Sequence, residues 1–157
     1  MKTVKIVLYS VFAIVLTVSL GLAASHHGYK AMLTGKDIIP PVETPATGEA
    51  TFTLSKDGKE LTYTLAVKDI ENATAAHIHA GKKGENGGPL AGLFAGPKKE
   101  GMYSGELAKG TITDKDLKGP LAGKKVKDLV KIIKDGGAYV NIHTEKNPNG
   151  EIRGQIM

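Results

Sequence analysis

Short segments with alternating apolar and polar residues, separated by glycine-rich turns, occupy most of the chain after residue 25. The alternation is clearest at 50–54 and 61–67, and Lys56-Asp57-Gly58-Lys59 between them carries the Asp-Gly signal of a hairpin turn. Further strands are predicted at 74–80, 90–95, 102–107, 139–144 and 151–156. Glycine accounts for 20 residues and punctuates these segments, which indicates strands and turns rather than helices.

One segment has the helical period instead. Between Lys124 and Asp135 the apolar residues fall at i, i+3, i+4 and i+7, and they are Val126, Leu129, Val130 and Ile133. Gly136-Gly137 ends the segment, as expected at a helix C-terminus. The whole pattern predicts an all-β fold, a Greek-key-like antiparallel sandwich or barrel with one amphipathic helix crossover.

The N-terminus has the order of a secretory signal peptide. Lys2 and Lys5 precede an apolar run from 6 to about 22, and small residues at 21–25 close it. We predict cleavage after Ala23 or Ala24, which gives a signal peptide at 1–24 and a mature domain at 25–157. An uncleaved anchor is the alternative, because the run approaches the roughly 20 residues that span a bilayer. The expected location is secreted or periplasmic, with no membrane span after cleavage.

Composition narrows the classes of function. The chain has no cysteine, so it forms no disulfide and carries no cysteine-linked lipid after the apolar run. Removing Lys2 and Lys5 lowers the formal charge from +5 to +3, and the other lysines are spread along the chain. With 5% aromatic residues and no Trp, nucleic acid is not an expected partner. No nucleophile elbow, phosphate loop or carboxylate pair is recognisable, and whether the protein is an enzyme stays open.

Three histidines lie in two of the predicted strands. Side chains alternate along a strand, so His77 and His79 share one face, and His143 lies on the polar face of its own strand. The same rule places Glu151 and Arg153 on the polar face of the last strand. If those strands are neighbours, an outer face of the sheet collects all five side chains.

The histidines form a workable set of metal ligands. Imidazole nitrogens suit copper or zinc, and three of them leave a coordination position for water or substrate. We favour copper, with zinc as the alternative, and expect Arg153 to attract and guide a small anion to the ion. The simpler interpretation is that the histidines only hydrogen-bond within a polar patch and brace the strands.

The mature N-terminus offers a separate metal site. Cleavage after Ala24 gives Ser25-His26-His27, and cleavage after Ala23 gives Ala24-Ser25-His26. Either product has a histidine at position three behind a free amine, a set that suits square-planar Cu(II) or Ni(II). An uncleaved chain lacks this site, and a frayed polar tail is the alternative.

Several segments also carry a resemblance to a known family. They are Leu33-Thr34-Gly35, Pro40-Pro41-Val42-Glu43-Thr44, Thr47-Gly48, Ala75-Ala76-His77-Ile78-His79-Ala80-Gly81, Gly119-Pro120-Leu121-Ala122-Gly123, Tyr139-Val140-Asn141-Ile142-His143-Thr144 and Gly150-Glu151-Ile152-Arg153-Gly154-Gln155-Ile156. In this order, and over nearly the whole mature chain, they resemble the CHRD (chordin-type) domain of exported proteins. The resemblance implies a β-sandwich or barrel outside the cytoplasm, but no settled activity. The resemblance therefore also favours an alternative function. In this alternative the protein is a non-catalytic interaction or structural module that contacts an envelope or extracellular protein.

The site alone is similar to that of copper–zinc superoxide dismutases. Those enzymes also use a strand His-x-His, a later strand histidine and an arginine near copper, and His77, His79, His143 and Arg153 occur here in that order. Bridging and zinc-loop histidines and disulfide cysteines are missing after His79. The similarity therefore implies no zinc subsite, and superoxide chemistry would need a copper-only site.

Overall fold

Seven antiparallel strands and one α-helix make up the part of the chain that the structure, a computed structural model, describes, residues 28–157. The strands are β1 (Gly28–Thr34), β2 (Thr47–Leu54), β3 (Leu61–Ala80), β4 (Pro89–Phe94), β5 (Lys99–Ile112), β6 (Ala138–Thr144) and β7 (Ile152–Gln155), and α1 (Val126–Lys134) connects β5 to β6. Strands β2, β1, β7, β6 and β3 pair in that order, and β3 also pairs with β2, so these five close into a barrel. The predicted all-β fold with a single helix is confirmed.

The predicted hairpin and helix form where their patterns indicated. In the β2–β3 hairpin Phe52 lies opposite Tyr63 and Leu54 opposite Leu61, on either side of the Asp-Gly turn. Helix α1 buries the four apolar residues of its stripe, Val126, Leu129, Val130 and Ile133. This burial of one apolar stripe against the sheet is what fixes an amphipathic helix on a domain.

Strand β3 is longer than the sequence predicted. Two strands were expected at 61–67 and 74–80, but the structure has one strand of 20 residues. Asp69 and Asn72 have φ angles of 54° and 50°, a left-handed conformation that Asp and Asn tolerate. Register shifts accompany them in the pairing with β5. These irregularities interrupt the alternation, so the sequence pattern predicts two strands where the structure has one.

Its length lets β3 carry different partners at its two ends. The first part pairs with β2 and β5, and the last part, Ala73–Ala80, pairs with β6 and β4. His77 and His79 lie in that last part. The barrel therefore presents both histidines next to β6, which carries the third.

Strands β1 and β7 meet at a close approach of two backbones. A Cβ atom on Gly154 would lie 2.1 Å from the carbonyl oxygen of Met32, which is impossible without moving the backbone. Glycine at this position therefore permits the contact that closes the barrel. The segment between β1 and β2 contains no strand, and Pro40 and Pro41 within it have no backbone N–H to donate to a sheet.

The predicted signal peptide at 1–24, and His26 and His27 behind it, lie outside the described residues. Within residues 28–157 no helix has both the length and the apolar character to cross a membrane.

Candidate metal centre

The candidate site lies on one face of the β3–β6 pair. In the register of these strands His77 is opposite Asn141, His79 is opposite Tyr139, and His143 is opposite Ala75. Residues that face each other across a pair, and residues two apart along a strand, project to the same side. The three histidines, Asn141 and Tyr139 therefore share one face.

The three histidine side chains converge. One ring nitrogen from each of His77, His79 and His143 lies within 4.8 Å of the other two. Nδ1 of His77 is 3.3 Å from Nε2 of His143. Bonds of about 2.0–2.1 Å in a tetrahedral site place ligand nitrogens about 3.3 Å apart, so this pair already has ligand spacing. Small side-chain rotations would bring all three rings onto one ion.

Backbone carbonyls orient two of the rings. Nδ1 of His79 donates to the carbonyl oxygen of Gly87 at 2.8 Å, and Nδ1 of His143 donates to that of Pro148 at 2.9 Å. A carbonyl only accepts, so Nδ1 is the donor in each of these contacts and Nε2 is the nitrogen left to bind a metal. Nε2 of His79 is buried and has no hydrogen-bond partner among the described residues. This is the arrangement of metal-binding histidines, whose second nitrogen is held by the protein.

The surroundings also favour uncharged rings. Burial, together with the nearby His143, His79 and Lys118, lowers the pKa of His77 to about 4. Burial likewise lowers the pKa of His79, against an opposing effect of its hydrogen bond to Gly87. Both imidazoles are therefore neutral at pH 7, the form in which a ring nitrogen binds a metal.

The histidines lie on the face of the sheet that points away from the core and are partly exposed, but a loop covers the rest of that face. Tyr139 and Asn141 are only 3% and 5% exposed, and Arg153 is only 3% exposed. The glycine-rich loop Gly81–Gly88 folds back over them after β3, and its Gly87 amide donates to the Tyr139 hydroxyl at 3.2 Å. Alternation along a strand identifies this face, but it does not reveal that a loop lies on it.

Arg153 holds that loop in place. It lies opposite Asn141 on β7. Its guanidinium donates to three oxygens of the loop, those of the Asn86 side chain (3.0 Å) and the Lys82 and Glu85 carbonyls (3.2 and 2.7 Å). It also lies 3.5 Å above the ring of Tyr139, which stacks on His79 at 5.3 Å. Arg153 is thus linked to His79 through Tyr139 and through the loop, and its role as an anion guide stays a prediction.

A cavity of about 370 Å³ borders the histidines. His79, Asn141, His143 and Arg153 contribute to its walls, and Ile38 and Ile39 form an apolar side. An ion held by the three rings would therefore have room beside it for a further small ligand.

Glu151 does not join this cluster, contrary to the sequence expectation. Strand β7 begins only at Ile152, so the alternation does not extend to Glu151. Its buried carboxylate accepts hydrogen bonds from the hydroxyls of Thr144 (2.6 Å) and Thr44 (2.7 Å) and from the amide of Asn147 (3.0 Å). Glu151 therefore has a structural role at the β6–β7 turn.

Replacing Glu151 with glutamine should make stability less dependent on pH. Burial raises the pKa of Glu151, but the hydrogen bonds from Thr144, Thr44 and Asn147 outweigh it and the net pKa is lowered. A lowered folded-state pKa stabilises the protein above the ordinary carboxylate range of about 4, and that contribution is lost as the pH falls through the folded value. We expect Glu151→Gln to lose about 1–3 kcal/mol at pH 7 and progressively less at lower pH. Urea unfolding between pH 7 and pH 3 measures this, and a constant difference would contradict it.

Comparison with known proteins agrees with the motifs in the strands. The profile of the CHRD domain matches residues 29–156. The chain belongs to the CHRD domain family. Chordin of Xenopus laevis is 30% identical to it over 144 residues and chordin of Danio rerio 27%, each alignment covering 87% of this chain and 14% of the relative. This CHRD domain protein thus spans about a seventh of the length of those relatives. No solved structure matched it significantly.

Asn141 is the site residue whose position sequence reasoning missed. It stands two residues before His143 on β6 and therefore shares its face, but its position opposite both His77 and Arg153 results from the registers of two strand pairs. The Gly87 and Pro148 carbonyls were missed as well, because main-chain acceptors leave no sequence signal beyond a loop and a proline turn.

Proposed function

We propose that this CHRD domain protein is exported and binds a copper ion through His77, His79 and His143. The observation that carries the proposal is the convergence of three imidazole nitrogens from β3 and β6 to within 4.8 Å. In the described part of the chain, no other set of three His, Cys, Asp or Glu side chains comes together in this way.

The donor set supports copper over zinc. All three ligands are imidazoles, and among divalent ions such nitrogen sites bind copper most tightly. The chain has no cysteine, so it cannot offer the thiolates of structural zinc sites. A three-nitrogen site next to a cavity leaves a coordination position open, where bound copper could support redox chemistry.

Export is supported by the N-terminal sequence. The basic, apolar and small-residue regions of 1–24 follow the order of a cleaved signal peptide. Mass spectrometry of the exported protein identifies the cleavage site, and a mass that retains residues 1–24 would contradict cleavage.

Copper titration of the mature chain tests the binding proposal. To remove the separate N-terminal site, the protein carries His26→Ala and His27→Ala, and this variant is the reference in all metal experiments below. Competition with a chelator should give one Cu(II) per chain, bound more tightly than Zn(II). Absence of a stoichiometric site would overturn the proposal. Superoxide and peroxide assays on the loaded protein then separate an enzyme from a carrier.

A non-catalytic interaction module is the second candidate. Strand β5 pairs only with β3, so its other edge has no partner strand among the described residues. Met102 on β5 is 63% exposed. Such an edge can accept a strand of another protein. Cross-linking and affinity capture from the native envelope test this candidate, and recovery of no partner together with tight copper binding would count against it.

A further inference from the structure

A row of residues crosses four strands of the sheet through the candidate site. Arg153 of β7 lies opposite Asn141 of β6, and His77 of β3 lies between Asn141 and Gly92 of β4. Residues that lie opposite each other project to the same side of a sheet, so the whole row belongs to the face that carries the histidines. Gly92 has no side chain, and the β4 end of the row is therefore open to a group from another segment.

The ammonium group of Lys118 lies at this end of the row. Its Nζ is 3.6 Å from the position that a Cβ atom on Gly92 would have. Opposite residues have Cβ atoms about 4.5–5.5 Å apart, so the ammonium comes within about 9 Å of the Cβ atom of His77. The backbone holds Lys118 here, because its amide donates to the carbonyl oxygen of Leu90 at 2.8 Å and the residue before it forms a β-bridge with β4.

The charge of Lys118 acts on the site. The side chain is exposed, and it forms no ion pair with any residue of the described chain. The carboxylate two residues earlier, that of Asp116, accepts hydrogen bonds from the amide and the hydroxyl of Thr113 instead. After burial and the two neighbouring histidines, Lys118 is the next cause that lowers the pKa of His77 to about 4. Lys118 therefore adds a positive potential on the β4 side of the histidines.

Arg153 and Lys118 lie at opposite ends of the row and differ in their access to solvent. Arg153 is buried, and its guanidinium donates to oxygens of the 81–88 loop. The Lys118 ammonium lies in solvent beside a glycine. A dissolved anion can reach Lys118 without moving a loop, and it then stands next to His77.

We infer that Lys118 attracts small anions to the proposed copper ion, and that they approach over Gly92 and His77. This inference rests on the proposed copper site and names the class of further ligand, a small monovalent anion. The ammonium raises the local concentration of anions beside the ion. An anion bound to copper also keeps a favourable interaction with the ammonium, so the affinity rises as well as the rate of binding.

Azide binding to the copper-loaded reference protein tests this role. At low ionic strength Lys118→Gln should lower the azide affinity about three- to tenfold, the loss expected for one unit charge at about 8 Å near a protein surface. The difference between the two proteins should disappear in about 1 M salt, where the Debye length is about 3 Å. Lys118→Arg keeps the charge and should keep the azide affinity.

Lys115→Gln is the matched control. It removes the same charge from the same segment, but Lys115 lies beside Lys59 and Glu60 rather than beside the histidines, and azide affinity should not change. The role of Lys118 is overturned, and the copper site stands, if Lys118→Gln binds azide as the reference does, if Lys115→Gln or Lys118→Arg shows the same loss, or if the copper-loaded reference binds no azide. If the reference protein binds no copper, the proposed function and this inference both fail.

Discussion

Replacing His143 with alanine is expected to reduce the copper affinity of the mature domain by about 100-fold or more. Loss of an orienting partner of a metal ligand typically costs 10–100-fold in affinity, and loss of the ligand itself should cost at least as much. His143 is also the only one of the three ligands that β6 supplies. Chelator competition in the background without His26 and His27 measures the change. His77→Ala and His79→Ala should behave alike, and Thr144→Val on the same strand should bind copper normally.

The same variants separate metal binding from strand bracing. Without an ion, Nδ1 of His77 and Nε2 of His143 are 3.3 Å apart and link β3 to β6. If bracing is the whole role of the histidines, His143→Ala should lower the free energy of unfolding by about 1 kcal/mol and leave copper affinity unchanged. That outcome would contradict the copper site.

Replacing Arg153 with lysine is expected to destabilise the protein by about 2–4 kcal/mol, although the charge is retained. The guanidinium is buried and donates to three loop oxygens in a planar arrangement that an ammonium group cannot reproduce. The loop carries the Gly87 carbonyl that orients His79, so copper affinity should also fall about tenfold. Urea unfolding and copper competition measure the two effects.

An anion guide would behave differently under this substitution. A residue that acts only through its charge should tolerate lysine, with stability within about 0.5 kcal/mol of the parent protein. That result would contradict the positioning role of Arg153 and favour anion guidance. Lys83→Ala, an exposed change in the same loop, is the matched control and should alter neither stability nor copper affinity.

The fold was largely predictable because its elements depend on local patterns. The Asp-Gly turn between two alternating segments became the β2–β3 hairpin, and the apolar stripe of 126–133 became α1. The continuity of β3 was not predictable. Asp69 and Asn72 adopt left-handed conformations there, and these depend on pairing with strands remote in sequence.

For the candidate site, the sequence allowed us to predict which side chains share a face of the sheet. Period-two alternation placed His77, His79 and His143 correctly with respect to the sheet, and the antiparallel register brought them together. What lies over that face was not predictable. The burial of Arg153 beneath the 81–88 loop and the departure of Glu151 toward Thr144 depend on loop conformation and on where β7 begins.

The 20-residue strand β3 affects how the domain unfolds. It pairs with β2, β4, β5 and β6, so four of the other six strands depend on a single segment of backbone. The two ends of β3 have different partner strands, but they belong to one continuous strand, so loss of structure at one end removes support from the other. Unfolding should therefore be all-or-none. A substitution that disrupts β3 far from the histidines should disturb the site as much as a substitution beside them.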